Sequence, residues 1–196
     1  MSLLPYASLT HRRRAYRSTD ANVLLSSQTA SNSASLTFSS GIDSTYGEYI
    51  FRFYNINPAT DSTDFQFQAN ATDSTSYDET ITSTAFAAQH AEADDDAALS
   101  YQGGMDQEQG TAYQFLNYDL ANDSDGSLAG ELHLFNPSST TYVKHFIART
   151  HHMFEANYAS QFFVAGYINT TTAIDDIQFK MNSGNFDGTI KLWGVL

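Results

Sequence analysis

Glu131-Leu-His-Leu-Phe-Asn-Pro-Ser-Ser-Thr-Thr-Tyr-Val-Lys-His-Phe-Ile-Ala148 reads as two strands joined by a turn. Leu132 and Leu134 alternate with Glu131, His133 and Phe135, the period of a strand with one buried face. Asn136-Pro137-Ser138-Ser139 then interrupts, because proline lacks a backbone N–H and fixes its φ. The chain resumes with Tyr142, Val143, Phe146 and Ile147, residue types that fill pleated surfaces. The expectation is a hairpin with bulky side chains, few charges and no catalytic motif beside it.

The same pattern recurs on both sides. Asn22–Gln28, Ala34–Phe38 and Glu48–Ile56 read as strands. The last is nearly continuous in bulky residues, so it is placed centrally, with Arg52 paired to a carboxylate or reaching an edge. Phe65, Phe67 and Ala69 alternate with Gln66, Gln68 and Asn70, which predicts a strand with one wet face. Thr82–His90 fits a strand better than a short helix, by its threonines and alternation. Ala91–Gly110 is the least structured stretch, and Ala112–Leu120 suits a helix or a strand. His151-His152-Met153 is expected to lead into a loop reaching Ser160. Gln161–Ile168 is a core strand, Ile177, Phe179 and Met181 mark another, and Thr189–Leu196 closes the chain. In that last strand Ile190, Leu192 and Gly194 face one way, and Lys191, Trp193 and Val195 the other.

About ten short strands at even spacing predict an all-β fold: an antiparallel β-sandwich, a jelly roll or related Greek key. At 196 residues one domain suffices, over residues 20–196, after an extended N-terminal arm at residues 1–19. With no cysteine, disulfides and thiolate sites are excluded. No apolar run reaches the length of a membrane span, and residues 1–19 lack the apolar core of a secretory signal.

Charge separates the two parts. The chain carries −13, yet residues 1–19 carry +4 through Arg12, Arg13, Arg14 and Arg17, which leaves −17 on residues 20–196. So acidic a body repels nucleic acid. The basic stretch, with Tyr16 inside it, reads as an anchor for an acidic surface on a neighbouring copy or a larger scaffold. Its alternatives are a solvated tail and a nucleic-acid arm, the latter at odds with the acidic body. Arg12, Arg13, Arg14, Tyr16 and Arg17 are therefore the candidate partner-binding residues.

Other chemistry is weaker. His151, His152 and Glu155 resemble a metal cluster only if that stretch is helical. Glu92, Asp94, Asp95 and Asp96 are read as a solvated acidic loop before a calcium site, and Asp123–Gly126 as an Asx turn. No nucleophile elbow, phosphate loop or dinucleotide fingerprint occurs. No cofactor is expected.

The segment from Val23 to Leu196 resembles a group of structural proteins of marine tailed bacteriophages. The resemblance is carried by Ser26-Ser-Gln-Thr-Ala-Ser, Leu36-Thr-Phe and Gly41-Ile-Asp. It continues through Tyr49-Ile-Phe, Asn57-Pro-Ala-Thr-Asp61, Leu132-His-Leu-Phe-Asn-Pro-Ser-Ser-Thr-Thr and Lys144-His-Phe-Ile. The last stretches are Val164-Ala-Gly-Tyr, Gln178-Phe-Lys-Met, Ser183-Gly-Asn and Gly188-Thr-Ile-Lys-Leu. It implies a non-enzymatic virion protein, assembled in the host cytoplasm, that serves as a capsid decoration or cement protein or as a tail accessory protein. Its partners would be other virion proteins and further copies of itself, most simply a trimer. A receptor-binding module for cell-surface glycans is the alternative. A carbohydrate-active enzyme is the third reading and needs two facing carboxylates in a cleft.

Overall fold

Apolar and aromatic residues alternate along most of the chain, and the computed structural model, which describes residues 22–196, turns that alternation into strands. There are thirteen among the described residues and no helix. They are β1 Asn22–Ser33, β2 Ser35–Phe38, β3 Glu48–Pro58, β4 Phe65–Ala71, β5 Ile81–Ala91, β6 Ala97–Tyr101 and β7 Glu108–Gly110. The rest are β8 Gln114–Phe115, β9 Leu128–Phe135, β10 Lys144–Phe154, β11 Tyr158–Ile168, β12 Ile174–Met181 and β13 Phe186–Val195. All pairings are antiparallel.

Two unequal sheets form an antiparallel sandwich. The large sheet has nine strands in the order β1-β13-β3-β9-β10-β11-β5-β6, with β7 also on β5; the small one has the order β2-β12-β4-β8. Each small-sheet strand is a single excursion between strands of the large sheet, the habit of jelly rolls and Greek keys. The expected hairpin is the β9–β10 pair, with Leu134 opposite Phe146 and Leu132 opposite Ala148. Tyr142 and Val143 belong to its turn rather than to β10, and Tyr142 stands 73% exposed.

The core lies between the sheets and is built on phenylalanine. The Phe179 ring of β12 packs against Phe51 at 5.2 Å, Phe53 at 5.3 Å, Phe65 at 5.8 Å and Phe38 at 6.1 Å. Edge-on and offset contacts of this kind add to burial. Arg52 in β3 does pair with a carboxylate, Glu131, at 3.6 Å.

Several expectations are corrected. β4 is buried along its whole length, so it has no wet face. Its polar side chains are covered by loops: Gln68 Nε2 donates to the Glu79, Thr111 and Ala112 carbonyls. The buried Gln68 amide thus meets loop carbonyls that would otherwise lack partners. The stretch Ala91–Gly110 contains β6 and β7. His151–Ser160 is not a loop, because β10 runs to Phe154 and β11 starts at Tyr158. Ala112–Leu120 is neither a helix nor a full strand; only Gln114–Phe115 pairs, with β4. It closes the side of the sandwich, where Thr150 and His152 of β10 reach the carbonyls of Leu116 and Tyr118.

Candidate interaction surface

The inner face of the large sheet is consumed by the core, and its outer face is not. Register sets outward residues in lateral rows. One row runs Lys191, Arg52, Glu131, Arg149, Phe163, Phe86, Tyr101 across seven strands. The next runs Leu24, Trp193, Ile50, His133, Ile147, Ala165.

Cations occupy the row from β13 to the central strand β10. Glu131 lies 3.6 Å from Arg52 Nε, 4.0 Å from Arg149 Nη2 and 3.4 Å from His133 Nε2. His133 Nδ1 lies 2.5 Å from Glu48. The Arg52 guanidinium sits 5.6 Å from the Trp193 ring, and Lys191 Nζ 5.1 Å from that of Tyr54. Surface pairs of this kind contribute only about 0–1 kcal/mol each, so the network adds little to folding. Of the five Lys and Arg residues after Arg17, three stand in this one row.

Apolar side chains begin on β10 beside Arg149 and continue to β6. Ile147 is 52% exposed, Phe86 43%, Tyr101 60% and Leu99 74%. Phe86 and Phe163 stack at 4.8 Å with 13° between planes. Every residue of β6 is exposed, and β6 pairs only with β5 in the described chain. A bare edge of this kind is a template for further contacts. At the turn end of β5 and β6, Glu92, Asp94, Asp95 and Asp96 fill the connection, while Asp106 accepts from Tyr101 Oη and Glu108 pairs with Thr82 at the other end of β5. His90 faces Asp94 at 3.3 Å, and Tyr158 Oη donates to Asp96 at 3.3 Å.

A second feature adjoins the β9–β10 turn. Tyr142 divides two open clefts, of about 430 Å³ beside Tyr46, Ser138 and Ser139, and about 450 Å³ beside Phe135, His145 and Thr171. Below them Lys144 is fully buried, its Nζ donating to the Tyr142 and Thr170 carbonyls at 3.0 Å each. Burial pulls the Lys144 ammonium below its usual pKa, and the charge of Glu79 partly opposes this.

The residues singled out from the sequence have different fates in the fold. Arg12, Arg13, Arg14, Tyr16 and Arg17 lie outside the described residues. His151 points outward and His152 inward, so the pair cannot share an ion; no group of three His, Asp or Glu among the described residues is placed to hold a metal. His152 Nε2 donates to the Tyr118 carbonyl at 2.8 Å, and burial lowers its pKa to about 4. Asp123–Gly126 is a turn closed by Gly126 N–H on the Asp123 carbonyl at 3.0 Å. The cationic row was missed in sequence. Alternation marks Arg149 and Lys191 as outward, but only the register of four strands makes them neighbours of Arg52.

No family model matches the chain, and neither a curated protein nor a solved structure matches it.

Proposed function

We propose that this chain is a non-enzymatic structural protein of a tailed-bacteriophage virion. Its role is that of a capsid decoration or cement protein, or a tail accessory protein, acting through protein–protein contacts as a homo-oligomer, a trimer. The observation that carries the reading is the exposed outer face of the nine-stranded sheet, with a cationic row from β13 to β10 and exposed apolar side chains from β10 to β6. Monomeric proteins seldom leave such a patch without a partner. The resemblance of Val23–Leu196 to virion proteins supplies the setting, and the Arg12–Arg17 stretch supplies a basic contact for an acidic neighbour. Nucleic acid is disfavoured by the acidic body. Antibody labelling of intact particles, viewed by electron microscopy, tests the reading. A regular array over the head supports a cement role, label at the tail supports the accessory role, and unlabelled particles defeat both.

A second reading is a receptor-binding module for glycans. The two clefts flanking Tyr142 favour it, since tyrosine rings beside hydroxyl and amide groups suit sugar faces and edges. Binding on a glycan array that disappears in Tyr142→Ala would establish it, and an empty array would remove it.

A further inference from the structure

We infer that the outer face of the large sheet binds a second copy of this chain head to tail. In this contact the acidic β5–β6 end of one copy settles against the Lys191–Arg52–Arg149 row of the next. The inference rests on the proposed homo-oligomer and names its contact surface.

Three features lead to it. First, the two charged ends are separated on one sheet. Three strand steps divide Arg149, the nearest cation of the row, from Tyr101 on β6, roughly 14 Å at about 4.8 Å per step. Screening at physiological salt acts over about 8 Å, so the two ends do not neutralise each other within one copy. Second, the acidic end has almost no counter-charge of its own. Between Arg52 and Lys144 the sequence contains no lysine or arginine, and among the described residues His90 and His151 are the basic groups beside this end. The row of Arg52, Arg149 and Lys191, against Glu131 and Glu48, holds the excess positive charge that end lacks. Third, apolar side chains run from β10, beside Arg149, through Phe163 and Phe86 to β6. Ile147, Phe163, Phe86, Tyr101 and Leu99 can be dried by a partner, while the charges form the rim, which is the usual anatomy of a protein interface.

The geometry also selects the occupant. The cationic row calls for an acidic partner surface and the acidic end for a basic one, and each copy supplies one of these to its neighbour on either side. Such a contact joins different surfaces on the two copies, so it closes into a ring when the rotation between copies allows. A trimeric ring is the simplest closure consistent with the proposed oligomer.

The test uses the full chain and sedimentation velocity. Three variants are compared with it: Arg149→Glu with Lys191→Glu, Asp94→Lys with Asp95→Lys, and all four changes together. The substituted groups lie at the surface, and a thermal melt of each variant checks that the sandwich stays folded. The expected result is an oligomer for the parent, a tenfold or greater weakening for each reversal, and recovery when the reversals are combined. Leu99→Asp should dissociate the oligomer with no rescue by either reversal. A parent chain that is monomeric, or an oligomer indifferent to both reversals, overturns the inference.

A fourth variant, with Arg12, Arg13, Arg14 and Arg17 changed to Ala, separates the competing occupant. If it dissociates the oligomer as fully as the Asp94/Asp95 reversal does, the basic segment occupies the acidic end and the contact proposed here is wrong. Particle labelling is independent of all of this. Labelled particles with a monomeric chain would sink the contact alone, and a rescued oligomer on unlabelled particles would sink the virion reading alone.

Discussion

His152 ties the connection after β8 to the large sheet: the imidazole Nε2–H of β10 donates to the Tyr118 carbonyl at 2.8 Å from a fully buried position. The acceptor fixes the tautomer, with the proton on Nε2, so Nδ1 stays bare in the core. Burial opposes a charge there and lowers the pKa from 6.5 to about 4. The unfolded chain therefore binds a proton between pH 6.5 and pH 4 that the folded chain refuses. Stability is lost as pH falls through that window, by about 3 kcal/mol at pH 4. Other shifts act in the opposite sense. Burial raises Asp64, Glu79 and Asp175, whose stabilising share is present at low pH and lost as pH rises through their folded values. The measurement is urea unfolding of the parent and of His152→Leu from pH 7 to pH 4. The gap between the two should shift by about 3 kcal/mol in favour of the variant on acidification. A constant gap would mean that His152 titrates normally.

Phe179 sets the centre of the core, touching rings from both sheets. Phe179→Ala should cost about 3–5 kcal/mol, because neighbours held in two crossing sheets cannot all close the gap. Phe179→Leu keeps most of the volume and should cost less than half as much. Denaturant midpoints at constant slope check both values.

Much of this fold was legible in sequence because β-sandwich strands advertise one buried face by simple alternation. Phe65, Phe67 and Ala69 gave β4 its place, and Ile190 and Leu192 gave β13 its inward side. What stayed hidden depends on contacts distant in sequence. Gln66, Gln68 and Asn70 look like a solvent face, yet all three are buried, and loop carbonyls at Ser74, Glu79 and Thr111 close over Gln68 and Asn70, which no local pattern announces. β6 escaped because Ala97–Tyr101 is exposed on both sides, so burial left no period to read. The cationic row escaped for a related reason: Arg52, Arg149 and Lys191 lie nearly 140 residues apart at the extremes and meet only through register. Arg52 alone could be read as a paired charge, which it is.

Gly188 permits a paired irregularity that bends β13 and β3 together. Its φ is 135°, and a Cβ there would lie 2.8 Å from the Asn55 carbonyl oxygen and 2.8 Å from Ile56 Cδ1. Asn55 itself sits at φ 51°, where the β3 register shifts against β9. Gly188→Ala meets both backbone strain and a clash, so it should lower stability by at least about 2 kcal/mol. Asn55→Gly relaxes only the backbone and should be near neutral. Thermal melts distinguish the two: equal losses would mean that the bulge is not conformationally constrained.

The basic segment offers a prediction that separates folding from assembly. Changing Arg12, Arg13, Arg14 and Arg17 to Ala should leave the melting of the sandwich unchanged, since the core is built from apolar side chains of residues 30–192. Association with particles lacking the chain should weaken by roughly tenfold or more, with a shallower dependence on salt than the parent. Co-sedimentation with such particles gives the answer. Unchanged binding would make the segment a passive tail.

Lys144 ties the exposed Tyr142 turn to the core. Its ammonium is buried and donates to the Tyr142 and Thr170 carbonyls, so one side chain holds both the β9–β10 turn and the segment after β11. Removing it strips two carbonyls of their donor and leaves a hole beneath the clefts that flank Tyr142. Lys144→Ala should therefore lower stability by about 3 kcal/mol. Lys144→Met keeps the packing without the donor and should recover part of that loss, because an unpaired carbonyl near the surface can find water. The readout beyond stability is Tyr142 itself. Loosening the turn should speed hydrogen exchange at the Thr141 and Tyr142 amides, both now held by Ser139 Oγ, at 3.2 Å and 3.0 Å. Unaltered exchange in both variants would show that the Ser139 contacts hold the turn without the lysine.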